Sequence, residues 1–358
     1  MAPQREILSL TALRGIAALW VLVFHLRREI RAYFPDLFEA FEWLIRSGYL
    51  GVDLFFVLSG YVITMNYGDR LARLNRHAYV NFVLKRLARI YPVYLFGMGL
   101  AVITFIQGKL MGYRLEPEEW TASGFVQSLF MVQGWTYPIG RHWNIIGWSV
   151  SVEWLAYLLF PAFAWLSFRV KNQRTVALVL LLLVHLAYAL QVSDLPDRMG
   201  MDFGLVRLGL GFTSGTLLWR IRESEERGHV AWSLCGIALV ALCGKACFES
   251  SEADLEPLIW APLALTLCIY FIARGADGPL AWVPLIHMGH ISYALYVVHG
   301  RVFTFARQAF PIKEFRYNPM LVKLVYVGGL IVIAVLLGHL VHTHIEKPAR
   351  RRILERWG

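Results

Sequence analysis

Apolar stretches about as long as a bilayer is thick recur along this chain, and that recurrence constrains its fold more than any other feature. A helix rising ~1.5 Å per residue needs ~20 apolar residues to cross the hydrocarbon core, where every backbone amide must find its partner inside the segment. Candidate spans lie near residues 7–26, 48–66, 89–107, 145–167, 175–191, 203–220, 230–248, 257–273, 289–308 and 321–343. The expected fold is all-α, a polytopic membrane helix bundle of about ten transmembrane helices. No linker or internal repeat divides it, so residues 1–358 read as one membrane domain. Pro92 and Pro262 fall inside two spans, which are expected to kink or begin late. A weaker apolar run, Gly124 to Gln133, reads as an interfacial or re-entrant helix.

Composition agrees. Of the residues, 57% are hydrophobic and only 17% charged, too little charge to clothe a soluble surface. The net charge of +10 belongs to membrane topology rather than to nucleic-acid binding, because Lys and Arg gather in cytoplasmic loops. Arg70, Arg73, Arg76, Arg169, Lys347, Arg350, Arg351 and Arg352 all fall where an inside N-terminus makes the chain cytoplasmic. The opposite loops carry fewer, chiefly Arg27, Arg28, Arg31 and Arg46. Both termini are therefore expected in the cytoplasm. The first apolar stretch contains Arg14 and no small-residue cleavage site, so it reads as a retained span. Cys235, Cys243, Cys247 and Cys268 sit in or beside apolar segments and read as packing residues. His339, His342 and His344 match no strong zinc spacing, and no metal is expected.

Ionisable residues within spans are expensive and mark an interior or a water-filled cavity. The first span holds two, Arg14 and His25. Eleven residues apart, they share one helix face ~16 Å apart along the axis. A neutral histidine can take a proton from a hydroxyl and return it to a leaving group. An arginine, always charged, suits an anionic or carbonyl part of a substrate. Asp53 is the one acid of the second span and either orients a histidine or pairs with an arginine; Ser59-Gly60 beyond it reads as close helix packing. Lys85, Arg86 and Arg89 form a basic ridge that suits either the cytoplasmic boundary or a phosphate. Glu153, in the span that opens at Trp148, serves either a salt bridge or catalysis, and the ninth span adds His299.

Six segments, in order, resemble the acyltransferase-3 family of integral membrane acyltransferases. They are Leu13-Arg14-Gly15-Ile16-Ala17-Ala18 with Phe24-His25; Gly51 to Gly60; Arg86-Leu87-Ala88-Arg89-Ile90-Tyr91-Pro92; Trp148 to Glu153; Ile291 to Tyr296 with His299; and Ile345-Glu346-Lys347-Pro348. The resemblance implies an O-acyltransferase of the bacterial inner membrane that moves an acyl group, commonly acetyl from acetyl-CoA, to a hydroxyl of a glycan or lipid-linked sugar. It makes His25 and Arg14 the essential pair, with Asp53 and Glu153 beside them, and puts Arg86, Arg89 and Tyr94 at the donor end. Ser59, Trp148, His299 and Glu346 are further candidates. Trp154 and Leu155 after Glu153, and Gly300 after His299, depart from the pattern. No extra-membrane hydrolase-like domain is expected.

The mechanism expected places the donor's phosphates near Arg86 and Arg89, its pantetheine arm past Arg14 and its thioester at His25. His25 then acts as general base or as acyl carrier. No bound cofactor is expected, acyl-CoA being a substrate. A transporter or flippase would use the same charges as a substrate or proton path, and labelled acyl transfer separates the two classes.

Overall fold

The computed structural model describes residues 6–113, 115–136, 143–169, 178, 181–182, 204–222, 236, 261–275 and 278–357. All regular elements among them are helical. In chain order they are α1 (Leu8–His25), α2 (Arg27–Tyr33), α3 (Pro35–Ala40), α4 (Glu42–Arg46), α5 (Leu50–Leu71), α6 (Arg76–Leu110), α7 (Ala122–Leu129) and α8 (Trp148–Phe168). Then follow α9 (Gly204–Arg222), α10 (Ala261–Arg274), α11 (Val283–Ala309), α12 (Ile312–Phe315), α13 (Met320–Val341) and α14 (Lys347–Trp357). Five stretches among the described residues are long and apolar enough to cross a membrane: Leu8–His25, Glu42–Leu71, Arg76–Leu110, Ile145–Phe168 and Met320–Arg356. The fold class is thus all-α, a membrane helix protein. The spans expected at 175–191 and 230–248, and Cys235, Cys243 and Cys247, lie outside the described residues apart from 178, 181–182 and 236.

Two expectations about extent change. Helix α6 does not begin late at Pro92; it starts at Arg76 and carries the proline inside. Residues 76–88 have a polar face, which hides a helical extension from a hydropathy window. The Tyr293 hydroxyl donates to Ile90 O at 2.7 Å in the proline's own turn and ties α11 to α6 there. The run at 124–133 forms only α7, eight residues long, with Thr121 Oγ1 accepting from Gly124 N at its start. At ~1.5 Å per residue α7 is too short to cross, as an interfacial or re-entrant segment would be, and only its extent differs from the run.

The chain divides into two compact units. The first comprises Met1–Ala17, Tyr49–Val83 and Glu153–His290. Its centre is the packing of α5 on α9. Lipid is as apolar as leucine, so helices in a bilayer associate through close packing and polar contacts rather than through the hydrophobic effect. Both devices occur here. A Cβ on Gly215 would lie 2.0 Å from Val57 O, and one on Gly60 2.0 Å from Phe212 O, so only glycine lets the backbones meet. Asp53 accepts from Arg207 Nε at 2.9 Å and from Nη2 at 2.7 Å, with side chains only 13% and 6% exposed. Thr64 and Thr216 add a buried hydroxyl bond.

The second unit comprises Ala18–Gly48, Leu84–Val152 and Ile291–Gly358. Its core gathers Val93, Ala294, Val297, Val298 and Val341 from α6, α11 and α13. Gly338 allows α13 to approach the backbone of Leu295. Gly300, a departure noted in the sequence, has a spatial reason: a Cβ there would lie 1.8 Å from Ile146 Cδ1. The same surface of α11 is tied down by Tyr296, whose hydroxyl bonds Ser149 Oγ at 2.8 Å and Ile146 O at 3.2 Å.

Two stability outcomes follow. Gly215→Ala lowers the melting temperature in detergent by several degrees, about 1–3 kcal/mol of overpacking, whereas Gly328→Ala, with nothing within 4 Å of the new Cβ, leaves it unchanged or raised. Asp53→Asn strands a buried arginine and costs about 3–5 kcal/mol, while Asp53→Leu with Arg207→Met recovers most of that. Thermal melts of the two variants check the second outcome.

Candidate active site

The site with open chemistry is built where α1 ends, within the second unit. Helix α1 is continuous from Leu8 to His25, so Arg14 and His25 share one helix, as their spacing requires. After Leu26 the chain turns into α2, and residues 25, 29 and 33 step on at four-residue intervals. Helix α11 presents His299, Phe303 and Arg307 at the same interval, which stacks them along one stripe. The two stripes meet. His25 and His299 face each other with ring centroids 4.9 Å apart, and Arg307 grips Glu29.

The histidine pair has a definite hydrogen-bond order. His25 Nδ1 lies 2.8 Å from Val21 O and 3.3 Å from His299 Nε2. His299 Nδ1 lies 3.2 Å from Leu295 O. A carbonyl only accepts, so each Nδ1 that faces one carries its proton. His299 Nε2 is then a lone pair and accepts the second branch of the His25 N–H bond. His25 Nε2 is left as the unprotonated nitrogen, and among the described residues no hydrogen bond engages it. His299 is 1% exposed and His25 half-buried. Of the two rings, His299 is the enclosed one and His25 the accessible one.

Beneath this pair lies a charged clamp. Glu29 is wholly buried. It accepts from Arg307 Nε at 2.5 Å and from Nη2 at 2.9 Å, and Nη2 also donates to the carbonyl of His25 at 2.6 Å. That carbonyl belongs to the last residue of α1, where a helix leaves its acceptors unpaired. Arg307 therefore caps α1 and pairs Glu29 at once. Tyr33 stacks near Tyr326 and Phe315; burial, then the neighbouring Tyr326 and Glu29, holds its phenol above the ordinary range. It stays protonated.

The other candidates have other surroundings. Within the first unit, Asp53 is bound to Arg207. Among the described residues Glu153 pairs with no arginine: Ser59 Oγ at 2.5 Å and Tyr157 Oη at 2.6 Å both donate to Oε1. Ser59 is thus a hydrogen-bonding residue as well as a packing one. In the second unit, Arg86 is buried and Arg89 half-buried. Tyr94 is buried and accepts from Gln133 Nε2 at 2.8 Å. Trp148 is buried. Glu346 takes the Nδ1 hydrogen of His342 at 2.8 Å across a single π-helical turn, His342–Glu346. Among the described residues no group of three or more His, Cys, Asp or Glu is arranged to hold a metal ion.

Sequence reasoning missed Glu29 and Arg307. The signal for Arg307 was available: like Arg14 it is an arginine inside an expected span, 289–308. Glu29 sat among exposed-looking arginines, and only the buried face of α2, Glu29, Ile30 and Tyr33, sets it apart.

A family described as an acyltransferase domain matches residues 7–339. The chain is 24% identical to the Bacillus subtilis protein named "Putative peptidoglycan O-acetyltransferase YrhL", over 97% of this chain and 55% of that one. It is 24% identical to the O-acetyltransferase OatA of Staphylococcus aureus, over 98% and 58%, and 25% identical to the acyltransferase MdmB of Streptomyces mycarofaciens, over 96% and 91%. The chain thus spans a little over half the length of the first two relatives. No solved structure matches it. With all-helical architecture, membrane-length apolar helices and a family match that runs from the start of α1 into the last turn of α13, this chain belongs to the acyltransferase-3 family of membrane enzymes.

Proposed function

We propose that the protein is a membrane O-acyltransferase that moves an acyl group, acetyl foremost, from acyl-CoA to a hydroxyl of a glycan or lipid-linked sugar. His25 Nε2 is the general base. One observation carries this reading: His25 Nδ1–H is held by Val21 O and His299 Nε2, so the opposite nitrogen is the open lone pair. The names of OatA and YrhL, an O-acetyltransferase and a peptidoglycan O-acetyltransferase, support acetyl as the group and a glycan as the acceptor.

In the proposed reaction Nε2 takes the acceptor's hydroxyl proton as that oxygen adds to the thioester carbon. The new C–O bond forms, the C–S bond breaks, and the imidazolium returns the proton to the departing thiolate. Both acceptors on Nδ1–H remain in place while the ring is charged, so the base needs no reorientation between the two transfers. Arg14, lower on the same helix, serves an anionic or carbonyl part of the donor. Arg86, Arg89 and Tyr94 on α6 are assigned to the donor end, with Arg89 the most open of the three. Asp53, Glu153 and Ser59 tie helices within the first unit, and Trp148 and Glu346 are structural residues of the second. The protein lies in the cytoplasmic membrane with both termini on the cytoplasmic side, the basic helix α14 among the inside residues.

The decisive test is transfer of labelled acetyl from acetyl-CoA to a glycan acceptor by the purified protein. His25→Ala, with a melting curve like that of the parent, is expected to lose ~10²–10⁴-fold in rate; a variant as fast as the parent refutes the base. Labelled substrate that moves across the bilayer without acquiring the acyl group refutes the enzyme. His299→Leu, which removes one neutral hydrogen bond from the base, is expected to lower kcat ~10-fold, and His299→Gln, whose amide oxygen can still accept, to recover part of it.

A further inference from the structure

We propose that Arg307 is a catalytic residue: its Nη1 edge donates to the oxyanion that forms on the thioester carbon. The proposal rests on the reading of His25 as the base.

A guanidinium has five N–H bonds in a fixed plane. In Arg307 the Nε and Nη2 hydrogens are committed, to the two oxygens of Glu29 and to the carbonyl of His25. The two hydrogens on Nη1 are engaged by no hydrogen bond among the described residues. Glu29 is wholly buried, yet the Arg307 side chain is 28% exposed. The side chain that carries the uncommitted edge is thus not enclosed as its partner is. A clamp built only to pair Glu29 needs no accessible donor. This one keeps an uncommitted donor on a guanidinium that also bonds the carbonyl of the base itself.

Rigidity is the second part of the argument. Charge that develops in a reaction is best met by donors already fixed in place, because they need no reorganisation when it appears. Arg307 is held on two sides, by a bidentate carboxylate and by a helix-terminal carbonyl, so the direction of Nη1 is set before substrate arrives. The group is permanently charged and gives up no proton. As the acceptor oxygen adds, its proton passes to His25 Nε2, and the thioester C=O becomes C–O⁻ facing Nη1–H. On collapse the C=O reforms, the C–S bond breaks, and the thiolate takes the proton back from His25. Electrons and protons balance with acyl-CoA and the acceptor alone.

The test must remove the donor without stranding Glu29. Glu29→Leu with Arg307→Met replaces the pair by apolar side chains, a change that buried ion pairs often tolerate. Arg307→Lys provides a second variant that keeps the charge but loses the fork. With a parent-like melting curve, the double variant is expected to lose ~10²–10³-fold in kcat, the usual effect of deleting an oxyanion donor, at unchanged KM for acetyl-CoA and acceptor. Arg307→Lys is expected to fall between it and the parent, and millimolar guanidinium is expected to restore part of the rate to Arg307→Ala. A double variant or a lysine variant within about threefold of the parent kcat overturns the proposal. So does a raised acceptor KM at parent kcat, which makes Nη1 a binding contact for an anionic acceptor. If His25→Ala remains active, it is the underlying reading that fails.

Discussion

Arg307 and Glu29 come from opposite ends of the chain and close on each other in a place with little water to spare. A carboxylate as deeply buried as Glu29 is tolerable only when a cation meets it with good geometry, and the bidentate fork supplies that. The same fork takes the carbonyl of His25, so pairing and helix termination are one event. The placement of His25 in the second unit depends on this. Without the clamp, the end of α1 and the start of α2 would each carry an unsatisfied group beside the His25 ring. His299, one face of α11 away, completes the arrangement from the other side of the ring.

The same logic governs the first unit. Asp53 is paired by Arg207 on α9, 154 residues away, and Glu153 by the hydroxyls of Ser59 and Tyr157. In a medium where apolar contact confers no advantage over lipid, these polar ties and the glycine contacts at Gly60 and Gly215 do the selecting between helix partners. Packing thus adds a partner from another helix to Asp53, in Arg207, and to Glu153, in Ser59.

Helices were largely legible in the sequence, because membrane length and apolar continuity impose them whatever the neighbours do. Their ends were not. At α6 the polar-faced turns before Leu87 and the proline at 92 both pointed to a later start, yet the helix continues through both. A hydropathy window weighs average polarity and cannot see a helix that is polar on one side. Among site residues, Arg14 and His25 announced themselves as costly intrusions in an apolar run. Arg307 was the same kind of intrusion and Glu29 was not. The acid lies outside any span, and its burial is created by tertiary contact with α11 and α13. Asp53 had two readings in sequence, histidine orientation or an arginine partner, and Arg207 is the partner present.

What sequence could not contain is the direction of each ring nitrogen. His25 and His299 both spend Nδ1 on a carbonyl one turn earlier in their own helices, a local bond that any helical histidine can make. Its consequence arises only when the rings face each other. Once His299 Nδ1 is committed as a donor, its Nε2 has only a lone pair to offer, and that lone pair reinforces the His25 N–H already directed at Val21. Two ordinary i to i−4 contacts therefore combine into a fixed tautomer with one open nitrogen. The open nitrogen is a property of the juxtaposition, and the clamp below supplies the rigidity that keeps it.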